Sequence, residues 1–426
     1  MSYKMMTKDE LKRLRSELLS EYEEKKSQGL DLSMARGKPE TSQLDLSMPM
    51  LEIIKPDTPF KGEDGMDMRN YGVLSGTAEA KRFFADMLDV SLENILIYGS
   101  ASLALMYDTI SRAYIKGICG SEPWSRLEKV KFLCPVPGYD RHFTICEFFG
   151  IEMISVPMDD NGPDMDMVER LVSCDPLIKG IWCVPKYSNP NGIVYSDEVV
   201  RRFAALKPAA EDFRIYWDNA YCIHHLYRDR QPEILNIVSE CEKAGNPDMV
   251  YEFCSTSKIT FPGSGVSAMA ASKRNIDETV AMMSVQTISH DKLNQLRHVM
   301  FLPTQKALKE HMMKHADIMR PKFEAVLEML EKELGGLGIA SWTKPLGGYF
   351  ISFDSMEGCA KKIVSMCKDA GIVMTDAGAT YPYGNDPKDS NIRIAPSFPP
   401  IDELRKACEV FIICVKLASI EKILSI

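Results

Sequence analysis

No stretch of this chain approaches the roughly 20 apolar residues that a helix needs to cross a bilayer, so no membrane span is expected. There is no CxxC pair and no paired Cys/His spacing. The twelve cysteines are scattered singly, among them Cys134, Cys183, Cys222 and Cys254. That pattern argues against a disulfide framework or a zinc site and for buried, reduced thiols in a cytoplasmic protein. An excess of positive charge is also missing. Lys and Arg number 51 against 60 Asp and Glu, a formal net charge of −9 with the signs interspersed. Nucleic acid and anionic membrane are therefore poor main partners. No GxGxxG follows the first strand, which disfavours a dinucleotide enzyme. There is no internal repeat and no low-complexity tail. Met1-Ser2-Tyr3-Lys4 leads straight into a charged helix, so no signal peptide is expected.

What is present is an ordinary globular composition over 426 residues, enough for two unequal domains. Thr7 to Glu10 reads as a capping box, and Leu11, Leu14, Leu18 and Tyr22 form the stripe of a first helix ending near Gly29. Seven short apolar runs then alternate with helix-like segments. They lie near 95–98, 129–134, 151–156, 178–184, 213–217, 249–254 and 265–271. This alternation predicts an α/β fold with a mainly parallel seven-stranded sheet covered on both faces. A long helical pattern from Thr304 to Gly335 passes Pro321, where a kink is expected. It leads to a smaller α/β domain with strands at 347–353 and 391–395, a helix over 357–370 and a final helix from Pro400. The boundaries read as 46–310 for the large domain, and 1–45 with 311–426 for the small one.

In such sheets ligands lie outside the carboxyl ends of the strands, and the polar motifs fall there. The first strand ends at Gly99-Ser100-Ala101-Ser102 and a helix follows, so unpaired N–H groups and the helix dipole make an anion site. Tyr139 follows Pro137-Gly138. Later strands end at Asn189-Pro190-Asn191-Gly192, at Asp218-Asn219-Ala220-Tyr221 and at Ser255-Thr256-Ser257-Lys258. A lysine at a strand end among small hydroxyl residues is placed for partial desolvation and a lowered pKa, as a nucleophilic amine requires. Gly37, between Arg36 and Lys38, can offer backbone N–H groups and positive charge to a carboxylate.

The order and spacing of these motifs, with Arg393 on a later strand, resemble the fold-type I pyridoxal-phosphate enzymes and specifically class I aminotransferases. The Ala35-Arg36-Gly37-Lys38-Pro39 stretch and the Ser257-Lys258-Ile259-Thr260-Phe261-Pro262-Gly263 loop look closest to the subgroup Ic aspartate aminotransferases, relatives of the MocR-type domain. The resemblance implies pyridoxal 5′-phosphate held as a Schiff base on Lys258, which also carries the proton in catalysis. It implies Asp218 at the pyridine nitrogen with His142 supporting it, Asn189 and Tyr221 at the phenolic oxygen, and Tyr139 and Ala220 on the two ring faces. The phosphate would lie on Gly99, Ser100, Ala101 and Ser102, with Ser255 and Ser257 nearby. Tyr71 would reach it from the neighbouring subunit of a homodimer. Arg393 would grip the substrate α-carboxylate, with Gly37 adding a backbone contact.

One position departs from that family. It usually has an arginine about eight residues after the lysine, paired with the phosphate; here the chain reads Ser264-Gly265-Val266. For the second substrate carboxylate Arg36, Lys38, Lys292 and Arg297 are all open. The expected reaction is ping-pong amino transfer between an L-amino acid, aspartate first, and 2-oxoglutarate. A β-lyase, a decarboxylase, an aminotransferase of other preference and a non-catalytic MocR-like effector domain stand as alternatives. The effector domain is disfavoured because only one helix precedes Asp31.

Overall fold

A computed structural model describes residues 2–425. Its centre is an eight-stranded sheet. The order across it is Ile95–Ile97, Ser267–Ala271, Val250–Ser255, Arg214–Asp218, Ile178–Cys183, Lys131–Val136, Glu152–Asp159, Gly162–Pro163. The five strands from Val250–Ser255 to Glu152–Asp159 pair in parallel. Ser267–Ala271 runs antiparallel to both its neighbours. The apolar runs are continuous because helices cover both faces. Ile178–Cys183 and Arg214–Asp218 are buried at every residue.

The sequence implies seven strands, and the eighth is a two-residue edge piece. Asp159 pairs with Gly162 there, in a tight hairpin where Gly162 has φ +134°. Two residues are too few to show a period, and only glycine takes that backbone readily.

A second layer of structure surrounds the antiparallel sheet Ala340–Trp342, Ile351–Ser355, Asn391–Ile394. Helices Lys8–Ser27, Gln305–Leu334, Ala360–Asp369 and Ile401–Leu424 pack on it and on one another. The first helix has the expected capping box: Thr7 Oγ1 accepts from the Glu10 N–H, and the Glu10 carboxylate accepts from the Thr7 N–H. Leu11, Leu18 and Tyr22 are buried in the same core as Phe411 and Cys414 of the last helix. Gln305–Leu334 runs as one helix through Pro321. Two expectations shift. The strand expected from Gly347 begins only at Ile351, because Gly348 takes φ +79° and Gly347–Phe350 bends toward the large sheet. The helix expected from Glu357 starts at Ala360, after Gly358 at φ +79°. Leu32–Ser33 pairs in parallel with Ile372–Val373, which ties the segment carrying Gly37 to the second layer.

Candidate active site

The carboxyl ends of strands 95–97, 131–136, 178–183, 214–218 and 250–255 open on one edge of the sheet, and the sequence motifs converge there. Asp218 closes its strand. His142, on helix Asp140–Phe148, brings Nε2 to 3.0 Å from Asp218 Oδ2. The His142 ring stacks on Trp182 at 4.4 Å and 11°, which fixes its orientation. Both His142 and Asp218 are almost wholly buried. The other carboxylate oxygen, Asp218 Oδ1, is also buried and has no hydrogen-bond partner among the described residues. A buried oxygen left unpaired costs about 1–3 kcal/mol or more, so this geometry wants a donor that the chain does not supply.

Lys258 is mostly buried beyond Ser255. Its Nζ lies 4.9 Å from the centroid of the Tyr221 ring and 5.7 Å from that of Tyr349. Burial pushes its pKa below the ordinary lysine range, and the charge of Asp218 pulls it partly back. Burial likewise raises the Tyr221 and Tyr139 phenols, so both keep their protons as donors. The Tyr139 ring meets His142 edge-on at 5.0 Å. Ala220, two residues after Asp218, is partly buried.

Arg393 comes from the small sheet, where it pairs with Ser352. Its Nη1 donates to Asp140 Oδ1 at 2.8 Å and to Asn189 Oδ1 at 3.3 Å, and Nη2 donates to Thr375 Oγ1 at 3.4 Å. Its Nε is buried and has no hydrogen-bond partner among the described residues. With Asn189 Oδ1 turned to Arg393, the amide N–H₂ of Asn189 points the other way, as a free donor. The guanidinium lies over Phe350 at 4.9 Å.

At the other end of the site, helix Ser102–Lys116 starts from Ala101 with no side-chain cap. Its first N–H groups are left for an anion. Ser257 Oγ donates to the Ser100 carbonyl at 3.2 Å, and Ser255 Oγ donates to Ser257 Oγ at 3.1 Å. Ser267 anchors the Gly99 carbonyl through its N–H at 2.8 Å and its hydroxyl at 2.9 Å. A side chain at Gly265 would come within 2.8 Å of the Ser100 carbonyl. The loop that lacks the usual arginine therefore packs its backbone directly on the cradle.

Known proteins share this fold. The family model described as aspartate amino-transferase matches residues 6–425. The chain belongs to the aspartate aminotransferase family. It is an aminotransferase of the class I, pyridoxal-phosphate-dependent kind. The aspartate aminotransferase of Corynebacterium glutamicum is 46% identical over 402 residues, covering 94% of this chain and 92% of its own. A crystal structure of an aspartate transaminase from C. glutamicum ATCC 13032 Kitasato matches with a TM-score of 0.96 and 43% identity, over 99% of both chains. The α-aminoadipate aminotransferase LysN of Thermus thermophilus, solved with N-(5′-phosphopyridoxyl)-L-leucine, shares the fold at a TM-score of 0.73 and 19% identity, over 92% of this chain and 93% of that one.

Within this aminotransferase fold some candidate residues lie apart from the convergence. Tyr71 is on a loop and is 72% exposed. Lys292 is buried against that same loop, donating to the Gly72 carbonyl at 3.1 Å and to Ser289 Oγ at 3.3 Å. Arg36 is exposed. Lys38 lies over the Phe398 ring at 3.8 Å, and Arg297 Nη2 donates to Asn294 Oδ1 at 2.5 Å.

The structure also brings in residues that the sequence reading missed: Asp140, Thr375, Tyr349, Phe350, His224 and His290. His290 lies 4.4 Å from the Tyr98 ring and faces Gly99. Burial lowers its pKa, so it is no standing replacement for the absent arginine. Gly347-Gly348-Tyr349-Phe350 and the His224-His225 pair are visible in the sequence. Nothing local says that Tyr349 and His224 face a lysine 91 positions away in one case and 34 in the other.

Proposed function

We propose that this aminotransferase moves the amino group of L-aspartate to 2-oxoglutarate, with pyridoxal 5′-phosphate held covalently on Lys258. One observation carries the reading: a buried carboxylate oxygen without a partner, Asp218 Oδ1, in the same enclosure as a desolvated lysine. A protonated pyridine nitrogen is the donor that such an oxygen lacks. Asp218 would hold that proton, with His142 fixing the carboxylate. Tyr221 and the Asn189 amide would donate to the ring oxygen, and Tyr139 would cover a ring face. Gly99, Ser100, Ala101 and Ser102, with the Ser255 and Ser257 hydroxyls, would hold the phosphate. The uncapped helix N-terminus supports that role without a cation at 264–266.

When bound, the cofactor draws the electrons of the breaking substrate bond into its ring. The rest belongs to the chain. Arg393 grips the α-carboxylate through two parallel N–H bonds, exchanging Asp140 for substrate. Lys258 Nζ, freed by the substrate amine, would take the proton from Cα and, as general acid, return it to the carbon on the other side of the substrate nitrogen. Its lowered pKa favours the free amine, the form that acts as a base. The keto product of the donor leaves before the acceptor enters.

Aspartate as donor follows the relative at 46% identity, and its second carboxylate calls for a cation from among Arg36, Lys38, Lys292 and Arg297. Tyr71, exposed on its loop, is proposed to enter the site of a second copy, so that the working unit is a homodimer; sedimentation at the 48.0 kDa of one chain would refute this. Twelve unpaired cysteines favour a reducing compartment, the cytoplasm.

The test is a visible spectrum of the protein with added pyridoxal phosphate, then with aspartate, glutamate, alanine and an aromatic amino acid in turn. The reading expects a visible band that aspartate bleaches with release of oxaloacetate. Pyruvate and ammonia would mean a lyase. A protein that stays colourless overturns the reading.

A further inference from the structure

The chain has seven histidines; two of them bond to the turn that carries Lys258, and a third meets one of those two. His298 Nδ1–H donates to the Asn294 carbonyl at 2.7 Å. Its Nε2 therefore accepts, from the Thr256 hydroxyl at 3.0 Å and the Thr260 hydroxyl at 2.9 Å. These two threonines bracket the lysine. On the far side, the helix Gln305–Leu334 presents His311 and His315 one turn apart on a single face. His311 Nε2–H donates to the Ile259 carbonyl, the residue after Lys258, at 2.7 Å. His315 Nε2 lies 3.1 Å from His311 Nε2.

Behind His315 is Gln43, which is wholly buried. Its Oε1 accepts from the Glu40 N–H at 3.2 Å, which sets the amide's direction. Nε2 then donates to His315 Nδ1 at 3.2 Å and to the Tyr349 hydroxyl at 3.3 Å. Every ring is neutral. Burial lowers His298 to about 4 and His315 to about 3, and it lowers His311 as well. The charged or titratable groups around this network are Lys258 and the neutral His224, Lys314 beside His311, Arg297 and Asp291 near His298, and the Lys322–Glu40 ion pair at the Gln43 end.

We propose that His298, His311 and His315, braced by Gln43, are positioning residues that hold the Thr256–Thr260 turn and so aim the Lys258 amine into its enclosure. Mechanism calls for an amine that stays desolvated after it is released, and a flexible turn would let it swing to water. Gln43 lies in the same N-terminal segment as Gly37. The network therefore joins the substrate-carboxylate end of the site to the main chain beside the lysine. The inference rests on the proposed role of Lys258.

Its test is the pH midpoint for acylation of Lys258 by acetic anhydride in cofactor-free protein, mapped by peptide mass, for wild type and for His311→Leu, His315→Leu and Gln43→Leu. Release of the turn should let water reach the amine. The midpoint should then rise by about half a pH unit or more, about a threefold loss of free amine at fixed pH. His315→Gln, which keeps a side-chain N–H beside His311, should restore the wild-type midpoint. Should the leucine variants not fold, the near-isosteric Gln43→Glu removes the same two donated bonds and should move the midpoint in the same direction. Midpoints equal to wild type, with only a lower melting temperature, would reduce the histidines to packing and overturn the proposal. A wild type that gains no visible band with pyridoxal phosphate would instead sink the proposed function. A normal band with unmoved midpoints sinks this inference alone.

Discussion

Glu252 lies in the middle of the strand that delivers Lys258, wholly buried, with Asn219 Nδ2 donating to its Oε1 at 2.7 Å. Burial raises its pKa from 4.5 to about 7, against the opposite pull of that bond. Between those values the folded protein binds the proton more tightly than the unfolded chain. The stability that this gives is therefore present at low pH and lost as pH rises toward 7. Glu252→Gln keeps the bond and removes the titration. Denaturant melts should show the variant about 3 kcal/mol more stable than wild type at pH 8, with the gap shrinking to under about 1 kcal/mol at pH 5. The same gap at both values would contradict the assignment. A glutamate in an apolar strand is legible in the sequence. Its neutral state is not, because that depends on which helices cover the strand. Asp218 is legible for a different reason: it ends a strand, where the ligand edge of a parallel sheet must lie.

At the scale of elements, the parallel strands can be read from their apolar runs, and with them the positions of Tyr139, Asn189, Asp218 and Lys258. The two-residue strands cannot, since pairing between Leu32–Ser33 and Ile372–Val373 leaves no periodic trace. Gly37 illustrates the difference. Its sequence neighbours single it out for its backbone N–H, but the structure adds another reason for glycine. A side chain there would come within 2.4 Å of Phe350 Cζ, and Phe350 is the ring under Arg393. Gly37→Ala should push that ring into the guanidinium and raise KM for the amino donor about tenfold, a loss of about 1.4 kcal/mol in binding. The visible band of the bound cofactor should be unchanged. Steady-state kinetics with an unaltered KM would refute the contact.

At the scale of the molecule, the proposed division puts Lys258, Asp218 and the phosphate cradle in residues 46–310. Gly37 and Arg393 then belong to the smaller body of 1–45 and 311–426. On that division the proposed site draws on both, and no single stretch of sequence contains it. Helix Gln305–Leu334 spans the division near its start, and its His311 and His315 join the two bodies beside the lysine. Every proposed step depends on which amine bonds the cofactor. Borohydride reduction of the protein with pyridoxal phosphate, followed by proteolysis and peptide mass mapping, reads that amine directly. A phosphopyridoxyl group on the peptide containing Lys258, and on no other in stoichiometric yield, is the predicted result. The same group on Lys38, Lys292 or another lysine, or no stable adduct, would contradict the account.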